Sequence, residues 1–108
     1  TIPACTAFDS PHRVGRAFEQ AIWEILWNRN CSTSSCSATT GFGNQVFSSY
    51  NDEQVADAIG DAIAYAIVVS GDEPTFSSFW GNMYDRIDSL HGSAAANAAD
   101  AVMSHHGI

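Results

Sequence analysis

Apolar residues recur along this chain at intervals of three and four, and the runs are separated by proline, glycine and capping residues. The first run is "DSPHRVGRAFEQAIWEILWNRN". Val14, Phe18, Ile22 and Ile25 keep helical spacing, with Ala17, Ala21 and Leu26 beside them, as on the apolar stripe of an amphipathic helix. Ser10 suits its N-cap and Pro11 its first position, where a missing N–H costs nothing. Trp23 and Trp27 lie four apart on a neighbouring stripe, so a second side of this helix is expected to meet a partner or a loop.

The stretch "CSTSSCSATTGFGNQ" has no such period and reads as a loop over residues 31–43, leading into a short helix around "NQVFSSY". The period returns in "NDEQVADAIGDAIAYAIVVSG". Asn51 is placed to cap this second helix, with Gln54 as capping-box partner, Asp52 and Glu53 at its positive end, and Gly71 as its stop. Val55, Ile59, Ile63 and Ile67 form its expected apolar line, and Gly60 with several alanines predicts a closely approaching helix. A third helix is expected from Pro74 to Gly92, with Phe76, Phe79, Trp80, Met83, Ile87 and Leu90 at helical spacing. A fourth, "SAAANAADAVMSHHG", would be capped by Ser93 and end at Gly107. No segment reads as a strand. The pattern therefore predicts an all-α fold, a small bundle of four to five helices in one domain spanning 1–108, with residues 1–9 as an N-terminal arm.

Composition narrows the classes. Hydrophobic residues make up 45% and aromatics 11% of the 108 residues, enough for a real core. Twelve acidic residues face four arginines, lysine is absent, and the formal net charge is −8. Such a chain is repelled by phosphate backbones and by anionic bilayers, so neither nucleic acid nor membrane is expected as a partner. No apolar run approaches the roughly 20 residues needed to span a bilayer. The opening "TIPACTAFDSP" has neither the basic nor the apolar region of a leader, so a mature secreted fragment or an excised domain is expected. Abundant Ser, Ala and Thr, the missing lysine and the paired cysteines lean towards an extracellular setting.

Three arrangements compete for Cys5, Cys31 and Cys36. A local Cys31–Cys36 disulfide would clamp the loop after the first helix, contributing less than the roughly 3 kcal/mol of a 15-residue loop. A bridge from Cys5 would have to run back along a first helix about 30 Å long at 1.5 Å per residue. A metal or redox site is disfavoured, because Cys-x4-Cys lacks the usual C-x2-C spacing and a fourth ligand. The local bridge is the favoured reading. It leaves Cys5 for an intermolecular bond, a buried thiol or a partner cysteine outside this chain.

Other polar clusters have plain readings first. His105 and His106 are adjacent and point apart on a helix, so a frayed, solvated tail is expected rather than a metal site. His91, in the last turn of the third helix, suits the negative end of the dipole. Asp57 with Asp61, and Asp85 with Asp88, could be acid–base pairs, but a bundle this small leaves little room for a cleft. They read as solvated acidic faces, with Arg86 as partial compensation. Neighbouring carboxylates raise each other's pKa, so these faces are candidates for pH sensitivity. No local motif supports an enzyme, and no cofactor is implied.

Two segments carry a resemblance. "FDSPHRVGRAFEQAI" resembles the opening helix of the helical domains of spider silk proteins (spidroins), and "EPTFSSFWGNMYDRIDSL" is similar to a later helix of those domains. The Ser/Ala-rich "SAAANAADAV" that follows is in keeping. Together they span about a third of the chain by the resemblance alone. The lysine-containing basic pole of spidroin N-terminal domains has no counterpart here, so none of its charge-pairing residues is carried over. The resemblance implies a non-enzymatic assembly and solubility domain of a secreted silk-like structural protein, self-associating on a change of pH or salt. The alternative is a small secreted protein whose helices enclose an apolar ligand among Trp23, Trp27, Phe79 and Trp80.

Overall fold

The computed structural model describes residues 11–27, 46–72 and 74–108. Cys5, Cys31 and Cys36, the arm over 1–9, the Ser10 cap and the loop over 31–43 lie outside the described residues, as do the readings placed on them. Among the described residues the regular elements are four α-helices: α1 Pro11–Leu26, α2 Asp52–Val69, α3 Phe76–His91 and α4 Ser93–His105. The all-α bundle expected from periodicity is the observed fold. Val46–Tyr50 forms bends and turns instead of the expected short helix, with Val46 and Phe47 buried.

Local chemistry sets the boundaries. Asn51 Oδ1 accepts from the Gln54 N–H at 2.8 Å, and Gln54 Oε1 accepts from the Asn51 N–H at 2.9 Å, the reciprocal box read from the sequence. Ser70 closes α2, and Gly71, at φ 79°, turns the chain out of it. Thr75, not Pro74, caps α3. Its hydroxyl accepts from the Ser78 N–H, while Ser78 Oγ accepts from the Thr75 N–H, both at 3.0 Å. Ser93 is already helical, and Gly92 alone separates α3 from α4, at φ 95° and ψ 161°. Residues with a Cβ avoid that region, so a serine cap cannot stand there.

The core is built mainly from Ile25, Phe47, Val55, Ile59, Met83, Ile87, Val102 and Met103, closed by alanines. On α2 the buried line is Val55, Ile59, Ala62, Ala66, and Ile67 stands 64% exposed. The reason is geometric. Each step of four residues overshoots a turn by about 40°, so three such steps carry Ile67 about 120° away from Val55. Alternating steps of four and three stay on the face and select alanines. Ala58, Ala62 and Ala66 make the close contact surface on α2, whereas Gly60 is exposed with nothing within 4 Å of a Cβ built on it.

Side-chain bonds fix the directions. α3 runs antiparallel to α2: Asn82 donates to Ser70 Oγ at 2.9 Å near one end, and Arg86 to Asp61 at 2.8 Å further along. α4 returns antiparallel to α3, tied by Trp80 Nε1 to Asp100 at 2.8 Å and by the Tyr84 hydroxyl to Asn97 at 2.6 Å. α1 packs mainly against α4 and also touches α2 and α3. Phe18 meets Phe76 with ring centroids 5.3 Å apart, and Glu24 meets His106.

Candidate functional site

Charge is distributed unevenly along the α2–α3 hairpin. All acidic residues of α2 fall in its first ten positions: Asp52, Glu53, Asp57 and Asp61. Those of α3, Asp85 and Asp88, fall in its second half. Because the helices are antiparallel, these groups share one end. The other end, residues 62–71 of α2 and its stop with 76–84 of α3, bears no ionisable acid or base other than tyrosine. Among the described residues, Asp72 in the connection and Asp100 of α4, bonded to Trp80, bring charge near that end.

At the acidic end, Tyr50, Gln54, Asp57, Ala58, Asp61, Leu90 and His91 line an open cleft of about 330 Å³. The capped start of α2 brings the carboxylates, and the last turn of α3 brings His91. The Tyr50 hydroxyl lies 2.7 Å from His91 Nδ1, and Phe47 packs edge-on against the same imidazole. Asp61 is held by Arg86 through Nε at 2.8 Å and Nη2 at 3.2 Å. The guanidinium also lies 5.2 Å from the centre of the Tyr65 ring. The hydrogen bond from Arg86 holds the Asp61 carboxyl below the usual carboxylate range, against the smaller raising effect of desolvation. That direction opposes the one expected of a like-charged neighbour. Asp57 shares the cleft with Asp61, while Asp85 and Asp88 stand exposed outside it. Committed to Arg86, Asp61 is poorly disposed to move a proton. Among the described residues no group of three His, Cys, Asp or Glu side chains could hold a metal ion.

At the uncharged end, Phe18, Pro74, Thr75, Phe76 and Phe79 line an apolar pocket of about 250 Å³. Phe18 organises it, tilted on Phe76 and edge-on to Phe79 with centroids 6.0 Å apart. At the close of α2, Ile67, Val68 and Val69 stand in solvent, with Val68 80% exposed. Of the four aromatics proposed to enclose a ligand, Phe79 alone lines this pocket. Trp80 is buried and bonded to Asp100, and Trp23 and Trp27 pair with each other on the outer side of α1, 62% and 52% exposed.

The sequence reading missed a polar contact inside the bundle. His106 is 7% exposed, and its Nε2 donates to Glu24 Oε2 at 2.9 Å. The solvated tail expected for both terminal histidines is therefore wrong for His106, while His105 is exposed. Gly107, at φ 83°, is the cause. The Gly107 N–H bonds Ser104 O and the Ile108 N–H bonds Met103 O, both at 3.0 Å, folding the chain end back and seating His106 against α1. "HHG" contains the signal for the closure, but no local pattern names Glu24, 82 positions away.

No known family's model matches the chain, and no curated protein or solved structure matches it either.

Proposed function

We propose that this domain is a non-enzymatic assembly module of a secreted, silk-like structural protein. Mutual repulsion keeps it dispersed at neutral pH and low salt, and it self-associates when acid or salt weakens that repulsion. The observation that carries the reading is the exposure of Ile67, Val68 and Val69, large apolar side chains at the close of α2, in a chain of net charge −8. Covering such side chains favours association, and a high net charge opposes contact until it is screened or neutralised. The resemblance of the first and third helices to spidroin helical domains supports the same role. Cys5 would supply a covalent link between copies.

The Phe18–Phe76–Phe79 pocket favours the rival reading, binding of a small apolar ligand. At about 250 Å³ it falls below the about 300–1,000 Å³ of ordinary ligand sites. Molar mass in solution at pH 7.5 and 5.5, at low and raised salt, with and without reductant, separates the readings. A monomer that associates on acidification or with salt, in reductant, supports assembly. A dimer that only reductant dissolves assigns the link to cysteine. A monomer throughout sinks self-association and moves the reading to the apolar ligand.

A further inference from the structure

We infer that the cleft at the acidic end of the α2–α3 hairpin is a binding site for a small primary amine, an ammonium group carried on a short apolar body. The inference goes beyond the assembly reading and does not depend on it. At about 330 Å³ the cleft lies within the about 300–1,000 Å³ of ordinary ligand sites. Its lining offers two kinds of surface. Asp57 and Asp61, four positions apart on α2, bring carboxylates, while Tyr50, Ala58 and Leu90 bring apolar area. Tyr50 is fixed before any ligand arrives, stacked on Phe47 with ring centroids 5.3 Å apart and bonded to His91 at 2.7 Å. A wall held in this way needs little further ordering on binding.

The charge of the cleft selects a monocation. Arg86 bonds Asp61 through Nε and Nη2 and balances its charge. Asp57 belongs to neither ion pair of the described residues, Arg86–Asp61 or His106–Glu24, so one negative charge is left over. An ammonium presents three N–H donors. Asp57 can accept from it, and Asp61 keeps lone pairs beyond the two bonds to Arg86. An anion is opposed by these carboxylates and by the net charge of −8. A bare metal ion fits poorly, since no group of three His, Cys, Asp or Glu side chains among the described residues could hold one. A neutral molecule of the same shape would leave the Asp57 charge unanswered.

The test titrates the protein with benzylammonium chloride at pH 7 and low salt, following backbone amide shifts by NMR. Saturable shifts centred on Tyr50, Asp57 and Leu90 are expected. Benzyl alcohol, the same body without the charge, and methylammonium, the charge without the body, should both bind more weakly. Asp57→Asn should raise the dissociation constant for benzylammonium about two- to fivefold, the usual worth of one exposed ion pair. Asp85→Asn removes the same charge from an exposed position outside the cleft and should raise it less. Unchanged helical circular dichroism in both variants checks folding. No saturable shift, either control compound binding as tightly as benzylammonium, or Asp85→Asn as damaging as Asp57→Asn overturns the site. None of these outcomes bears on self-association, which the molar-mass measurement decides.

Discussion

Asp61 illustrates how one side chain's environment sets a pH response. Its folded pKa is lowered by the Arg86 hydrogen bond, so the stability it adds is present above its unfolded value, about 3.9. That stability is lost as pH falls through the lower folded value. Asp61→Asn should therefore lower the melting temperature by a constant amount from neutral pH down to the ordinary carboxylate range. The two proteins should converge only below it, as thermal melts at stepped pH will show; convergence already near pH 6 would contradict the assignment. Inside the bundle, Glu24 is the bonded partner of a buried imidazole whose Nδ1 meets no hydrogen-bond partner among the described residues. Glu24→Ala leaves both ring nitrogens of His106 without that bond, and should cost about 1–3 kcal/mol by urea titration. Neither pair could be assigned from sequence with the right partner. Arg86 was read only as a general compensator and His106 as solvated, because both contacts join residues distant in the chain.

At the scale of elements, the reading of α2 shows what periodicity does and does not carry. Its cap, its stop and its amphipathic character follow from Asn51, Gln54 and Gly71, all local chemistry. The exact buried face does not, because a line of isoleucines attracts the eye away from alanines that lie truer to the helical angle. The alanines matter more to the packing. Ala62 is fully buried, so Ala62→Leu should overpack the contact and destabilise by about 1–3 kcal/mol. Ile67→Ala should be near neutral in the isolated domain, and a urea series on both variants tests the assignment of faces. The start of α3 was legible to within a residue or two, and Thr75 with Ser78 forms a box whose serine is a less familiar partner than glutamate or glutamine. Gly92 accounts for the remaining error: the junction needs a glycine-only conformation, which composition alone does not announce.

For the whole molecule, the helix count and class were legible because burying one stripe per helix leaves few alternatives. The polarity of the hairpin was not, because it requires knowing that α2 and α3 run antiparallel. Once they do, separate acidic clusters in sequence become one pole. The self-association proposed above should be promoted by added salt at neutral pH, with the dissociation constant falling as ionic strength rises. An interface made from opposite charges would show the reverse dependence, since screening weakens its attraction.

The placement of the tryptophans has an optical consequence. Trp80 is sealed at 4% exposure, while Trp23 and Trp27 face water from α1. Indole emission moves to longer wavelength as its surroundings become wetter, so the spectrum is a sum of a blue component and a red pair. A soluble quencher reaches the red pair first. The chain therefore carries two native reporters, one reading the outer side of α1 and one reading the interior. A ligand or partner that settles on α1 would shift the red component and leave the blue one in place.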